Sequence, residues 1–458
     1  MKYKSMREWM DILEKSGKLK HVQREVSIEF EMAAVGKKTC GKYAVVFDNP
    51  QNSTIPITTG LYGSREFFAQ ALNVPVMELA PYFSKAQENP KPCKVVDKKN
   101  APVKEVVIND VDLSKLPIPI HHEKDSGPYI TAGVLIAKNP ETGERNVSIH
   151  RLQVTDKNHL GILMLPRHLM HFYKIAERNN KPLEIAIAIG LDPIVMLASQ
   201  ALTPLGQDEF CIASALYGES MELVKCETVD IEVPAHAEIV LEGVLLPNVR
   251  DLEGPFGEYP KYYGHRDKRE VIELTCMTTR KNPIFQTIVP ATDEHLLLGG
   301  IPREGGILQL VKNAVPTANA VHLTPGGTGR YHLVIQIDKQ NEGEAKNAMF
   351  AAFGSSQEIK HIVVVDMDVD IFDPIEVNWA IATRCQASRD VMIIKDACGN
   401  KLDPSTDNGL SDKMGIDATV KLNEPKEKFE KIKIPNEENI IIEEYINRSE
   451  ERRVGKEC

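Results

Sequence analysis

The sequence predicts a multidomain chain of mixed α+β and α/β character: an α/β amino-terminal portion, a β-rich centre and an α/β carboxyl-terminal domain. Three observations predict it. The length, 458 residues, exceeds what one hydrophobic core usually serves. Across the middle third, runs rich in Val, Ile and Leu are separated by short Asn, Pro and Gly turns, the composition of antiparallel hairpins. After residue 305, strand-like and helix-like runs alternate, which is the signature of βαβ units. The expected units are 1–110, 111–305 and 306–447.

The first helix starts at Ser5, where Ser5 and Glu8 form a capping box, Met6, Trp9, Ile12 and Leu13 share a face, and Gly17 stops the helix. A strand through Val45 and Val46 follows, then a helix over 64–72 and a Lys- and Pro-rich connection over 90–100. Strands over 130–137 and 146–154 flank Asn139-Pro140-Glu141-Thr142-Gly143 as one hairpin. The apolar stretch 185–205 is broken by Asp192, Pro193 and Pro204, so it reads as strand, turn and buried helix instead of a membrane span. Runs 271–279 and 284–289 about Arg280-Lys281-Asn282-Pro283 read as a second hairpin. A helix from Ile307, a strand over 331–337, a helix over 342–353, a strand over 361–366, a helix over 374–384 and a strand from Val391 complete the pattern. Residues 448–458 look like a translated sequencing adapter and are set aside as an artefact, with the natural carboxyl terminus expected to differ.

Sixty-five acidic against 55 basic side chains give a net charge of −10, which excludes a general nucleic-acid binder. Residues 1–16 mix charges and lack the apolar core of a signal peptide, so a cytoplasmic location without membrane insertion is expected. The eight cysteines are dispersed without any C-x-x-C pair and are expected to be mostly small buried apolar residues.

Several segments can carry chemistry. On a strand, alternation sets Asn146, Ser148 and His150 on one face and Val147, Ile149 and Arg151 on the other, and period alone does not choose between them. Glu253 and Glu258 share a glycine-bearing loop; in one cavity, burial and mutual repulsion would raise one carboxyl toward neutrality, while an Arg held the other ionised. His168 and Glu209 lie outside any local metal motif, although a carboxylate, an amide oxygen and an imidazole suit Mn²⁺ or Mg²⁺. The Gly-rich stretches 299–306 and 325–330 match no phosphate-loop pattern and are read as turns, and the acidic run 366–370 as a strand end. Leu296, Leu297 and Leu298 are candidates for an apolar wall.

In this order, these fragments resemble the UbiD family of prenylated-flavin-dependent decarboxylases over nearly the whole chain. The resemblance is strongest in Gly127-Pro128-Tyr129-Ile130-Thr131, 146–151, Val224-Lys225-Cys226-Glu227-Thr228, 253–258 and Trp379-Ala380-Ile381-Ala382-Thr383-Arg384. The resemblance implies a central split β-barrel that binds prenylated FMN, with Mn²⁺ and K⁺ at its phosphate, and a carboxyl-terminal oligomerisation domain. It implies Asn146, His168 and Glu209 as metal ligands, with Ser148, Ile149, Arg151 and Arg167 bordering the flavin. It implies Glu253, Arg151 and Glu258 as the catalytic trio, Glu258 delivering the proton after CO₂ leaves. A lysine that some members direct at the flavin has no clear match, Lys360 being nearest, and His150 is favoured as an outward or structural residue over a substrate-pocket group. The implied activity is reversible, non-oxidative decarboxylation of an aromatic or α,β-unsaturated acid. The alternatives are a physiological carboxylase and a non-catalytic flavin- or metal-binding member. Expected partners are the small acid, a UbiX-type flavin prenyltransferase as cofactor supplier, and further copies of the chain in a homodimer or larger homo-oligomer.

Overall fold

The computed structural model describes residues 3–442 and Tyr445. Its first helix, Met6–Lys15, begins where the capping box places it: Ser5 Oγ accepts from Glu8 N–H, and Glu8 reaches back to Lys4 N–H. The helix buries Met6, Trp9 and Leu13 in the core cluster that also holds Phe68 and Phe83, and Trp9 Nε1 donates to Leu61 O at 2.7 Å.

Leu19–Val26, Ala44–Pro50 and Ile57–Thr59 form a small sheet whose fourth strand, Phe285–Gln286, arrives from far along the chain and pairs parallel to Ile57–Thr59. That pairing overturns the second expected hairpin. Asp267–Thr279 pairs instead with Ile239–Glu253, and the chain after Arg280 leaves the central sheet for the amino-terminal one. Turn composition marks where a chain reverses or bends, but not which strand it next pairs with.

The centre is one antiparallel sheet of nine strands that curls into a half-barrel, in keeping with the expected split barrel. Along it run Tyr129–Ile130, Leu152–Val154, His159–Ile162, Asp267–Thr279, Ile239–Glu253, Leu183–Ile189, Val134–Lys138 and Arg145–Ile149, with Val106–Ile108 beside Asp267–Thr279. The hairpin about Asn139 to Gly143 forms as expected, pairing Val134–Lys138 with Arg145–Ile149. The following strand does not continue to Val154. Arg145–Ile149 ends, the chain kinks at His150 and Arg151, and Leu152–Val154 joins the opposite end of the sheet. Leu183–Ile189 is buried almost throughout, and Pro193–Ala198, capped by Asp192, is the buried helix after it.

The carboxyl-terminal sheet has three parallel strands, His332–Ile337, His361–Asp366 and Leu410–Ala418, with antiparallel Ala318–Leu323 and Val391–Cys398 at its edges. Glu344–Ser355 and Pro374–Arg384 pack on it, giving the expected α/β domain. One expectation fails before it. Residues 299–306 are not a turn but lie inside a 22-residue helix, Asp293–Ala314, so the helix starts well before Ile307. Four glycines and Pro302 weaken its intrinsic preference, and packing overrides it: a Cβ on Gly305 would sit 2.7 Å from Ala80 O. The acidic run 366–370 is engaged by Arg384, which pairs with Asp366 and Asp368.

Residues 1–419 form one compact unit, and residues 420–458 a second, whose described part holds two short turns of 3₁₀ helix, Lys426–Phe429 and Glu437–Asn439. The adapter-like segment 448–458 lies outside the described residues. Among the described residues, no helix is long and apolar enough to cross a membrane.

Candidate functional site

The kink after Ile149 builds the site. Had the strand continued, Arg151 would have pointed away from Asn146, Ser148 and His150. The break turns it back, so that all four line one cavity of about 790 Å³. Ile149, Arg167, His168, Glu209 and Glu258 also line this cavity.

The two loop glutamates meet at Arg151. Its Nη2 donates to Glu253 Oε2 at 2.6 Å, and its Nη1 donates to Glu258 Oε1. Glu253 is wholly buried behind the arginine and off the cavity wall, where it also accepts from Tyr129 Oη at 3.1 Å. Burial pushes the Glu258 carboxyl up, Arg151 opposes and Glu253 adds to the rise, leaving it raised from its ordinary value. Arg151 Nε is buried with no hydrogen-bond partner among the described residues. The arginine is packed by the Phe256 ring, 5.3 Å away, and by Gly264, where a Cβ would lie 3.0 Å from Nη1. Glu258 follows the short strand Phe256–Gly257, which pairs with Tyr263–Gly264, so this small hairpin delivers both the carboxyl and the glycine.

At another wall, Glu209 is the first residue of the helix Glu209–Tyr217. Its carboxylate accepts from Val147 N–H at 2.9 Å and Thr203 Oγ1 at 3.0 Å, two neutral donors. Burial pushes it up to about 7. Asn146 Nδ2 donates to Ser148 Oγ at 3.1 Å, and Ser148 Oγ lies 3.0 Å from His150 Nε2. His150 Nδ1 lies 3.2 Å from Leu163 O, which can only accept, so Nδ1 carries the proton and Nε2 accepts from Ser148. Burial lowers the imidazole to about 4, keeping it neutral. His150 is therefore a hydrogen-bonding residue that also lines the cavity. The relay spends the Asn146 amino group within the strand and leaves its carbonyl oxygen for another partner. His168 starts the helix His168–Arg178; burial, then Arg167 and His171, lower its imidazole.

Sequence reasoning missed a cationic wall contributed by the long helix and the carboxyl-terminal domain. Arg303 and Arg330 face one carboxylate, Glu358, with Nε to Oε2 distances of 3.6 and 3.9 Å. Burial, then Arg330, pushes the Arg303 guanidinium down to about 9. Burial would raise Glu358, but Arg303, Arg330 and Arg167 outweigh it and hold it below its usual range. His295 is lowered to about 4, first by burial and then by Arg330. Tyr259, next to Glu258, joins the two walls: its ring lies 5.5 Å from the Arg330 guanidinium, and its hydroxyl accepts from Asn400 Nδ2 at 2.6 Å. Gly299 makes room for Arg330, since a Cβ there would fall 1.7 Å from Nη2. The only hint in the sequence was the glycine-rich run itself. Of the three leucines, Leu298 lines the cavity, whereas Leu296 and Leu297 are buried elsewhere in the helix packing. Lys360 pairs with Asp403.

Three family models match the chain, all described as 3-octaprenyl-4-hydroxybenzoate carboxy-lyase: its N-terminal domain over residues 10–86, its Rift-related domain over 94–293 and its C-terminal domain over 296–418. The chain is 42% identical to anhydromevalonate phosphate decarboxylase of Methanothermobacter thermautotrophicus, covering 90% of this chain and 96% of that one. It is similar to the UbiD-class enzyme HmfF from Pelotomaculum thermopropionicum in complex with FMN, at TM-score 0.95 and 59% identity over 96% of this chain and all of that one. An evolved dimeric form of HmfF in complex with prenylated FMN matches at TM-score 0.91 and 56% identity, over 97% of this chain and all of that one.

Proposed function

The chain belongs to the UbiD family of carboxy-lyases, and on that premise we propose that it is a prenylated-FMN-dependent decarboxylase of a compact unsaturated acid carrying a second anionic group. One observation carries the substrate class: the cavity has two unlike poles. At one, Arg151 faces two carboxyls; at the other, Arg303 and Arg330 face one, and His295 is neutral. With Arg167 also acting on Glu358, the second pole holds more guanidinium charge than its one carboxylate balances, an excess that an anion relieves. One relative agrees in kind, since anhydromevalonate phosphate carries a phosphate besides its carboxylate, whereas gallate decarboxylase of Lactiplantibacillus plantarum is named for an acid without a second anionic group.

The residues fit the cofactor. A buried carboxylate with only neutral donors, an amide oxygen freed by the Asn146 relay and an unprotonated imidazole suit a divalent cation such as Mn²⁺, and Asn146, His168 and Glu209 would hold it against the flavin phosphate, with K⁺ nearby. When bound, the prenylated flavin supplies an electron sink for the pair left as CO₂ departs. Ser148, Ile149, Arg151 and Arg167 would border the flavin. Arg151 orients the reacting carboxylate, with its unpaired Nε as a free donor. Glu258, whose carboxyl burial and Glu253 push toward the protonated form, delivers its proton to the carbon that loses CO₂. Glu253 holds Arg151 from behind. The asymmetry serves catalysis: the spectator anion is held firmly, while the carboxylate to be lost sits where negative charge is least welcome.

The test is co-expression with a UbiX-type flavin prenyltransferase, followed by CO₂ release from a panel of unsaturated monoacids, diacids and acid phosphates. Altered flavin absorbance with turnover highest for the dianions is expected. Bound, unmodified FMN without turnover under any maturation would favour a non-catalytic member, and equal turnover of matched monoacids would sink the two-pole reading. Running the same panel in bicarbonate tests for a carboxylase.

A further inference from the structure

Among the described residues only Cys276 of the cysteines is buried, against the expectation that most are buried apolar residues, and two that are scattered in sequence meet at one carboxylate in the fold. Cys93 precedes the short strand Lys94–Val95, and Cys211 lies in the first turn of the helix Glu209–Tyr217, three residues after its N-cap Asp208. Lys91 N–H donates to Cys211 O at 2.9 Å, and Lys94 N–H donates to Met221 O at 2.8 Å, tying the two segments together. The two Sγ atoms and an Asp208 carboxylate oxygen all lie within 4.8 Å of one another, and all three residues are partly exposed. Cys211 Sγ is 3.7 Å from Asp208 Oδ2, and Cys93 Sγ is 3.5 Å from Ser214 Oγ. No other cluster of three His, Cys, Asp or Glu side chains has this spacing among the described residues.

We propose that Cys93, Cys211 and Asp208 form a cation site for a thiophilic divalent ion of the Zn²⁺ class, distinct from the flavin cavity. Ligands at zinc–sulfur lengths of about 2.3 Å in a tetrahedron sit ~3.8 Å apart, and sulfur to carboxylate oxygen ~3.5 Å, so the cluster needs only a small contraction. Binding breaks two S–H bonds, forms two metal–sulfur bonds and sends two protons to solvent; the carboxylate is the third ligand and a water the fourth. Loss of the Cys211 proton removes one of the three donors to Asp208 Oδ2 and leaves the two from Arg145. The ion, two thiolates and one carboxylate sum to −1. Arg145 shares its charge between this site and Glu232: its Nη2 and Nε lie 2.5 and 3.1 Å from Asp208 Oδ2, and its Nη1 3.0 Å from Glu232 Oε2. The ion would clamp the segment around Cys93 to the end of the helix that carries Glu209.

The experiment titrates the reduced, flavin-free full-length protein with Co²⁺ alone and reads the near-ultraviolet thiolate-to-cobalt charge-transfer band, which the oxygen and nitrogen ligands around Glu209 cannot produce. One equivalent is expected. The band should be lost in Cys93→Ser and Cys211→Ser, weakened at least tenfold in affinity in Asp208→Asn, and retained in Glu209→Gln and Cys226→Ser. In the wild type, Zn²⁺ should protect two thiols from alkylation, a measurement that does not depend on the variants folding. Absence of the band, its persistence in either cysteine variant, or thiols alkylated equally with and without Zn²⁺ overturns the proposal.

Discussion

Replacing Arg303 with Met tests the two-pole cavity most directly. Methionine keeps the unbranched stem and the helix preference of the position, while the charge is removed. Arg303 and Arg330 share Glu358, so the variant removes one of the positive charges that outnumber this carboxylate and leaves Arg330 paired with it. Truncating one partner of a buried, hydrogen-bonded charge pair costs about 2–5 kcal/mol, and here the lost partner is that of the substrate's spectator anion. That range corresponds to a rise in KM of roughly 30-fold to several thousand-fold for a dianionic acid. Because the spectator anion is bound alike before and during the reaction, kcat should change little. A monoanionic acid of the same ring or chain should keep its kcat/KM within about 3-fold. The assay is initial-rate CO₂ release for a matched diacid and monoacid, on enzyme matured identically and checked for flavin content. Equal losses for the two acids, or unchanged KM for the diacid, would refute the reasoning, because either result means that Arg303 does not meet the second anion.

Four further outcomes are expected. Glu258→Gln should lower turnover by about 10²–10⁴-fold with flavin still bound; in the wild type, kcat should fall as pH rises through the raised Glu258 pKa, since the protonated form is the donor. Asn146→Ala or Glu209→Ala should lose flavin and divalent metal together, read by absorbance and elemental analysis; full flavin content would remove the ligand assignment. Gly299→Ala favours the helix by about 1 kcal/mol in isolation, yet its Cβ displaces Arg330, so the diacid should lose its advantage over the monoacid in CO₂ release. Asp192 is pushed up to about 6 by burial, against the hydrogen bond from Tyr217 at 2.5 Å. A folded-state pKa above the unfolded one means stability present below about pH 4 and lost as pH rises through 6, ~3 kcal/mol in all. Asp192→Asn keeps an N-cap, so in thermal melts it should gain on the wild type at pH 8 and not at pH 4.

What could be read from the chain was local or compositional. The Ser5 capping box, the hairpin about Asn139 to Gly143 and the alternating segments after residue 330 each depend on neighbours within a few residues, and each formed. The residues proposed for the cation and the proton were also legible, because their types at those separations are uncommon outside the family they resemble. Tertiary packing decided the rest. The helix Asp293–Ala314 persists through its glycines because Ala80 and Arg330 press against them, and no propensity contains that information. Arg151 faces the cavity only because strand pairing ends at Ile149 and resumes across the sheet. The pole of Arg303, Arg330 and Glu358 and the meeting of Cys93 with Cys211 join residues tens to more than a hundred positions apart. Charge excess and ligand spacing are properties of distance in space, and sequence order sets that distance only within a helical turn or a strand.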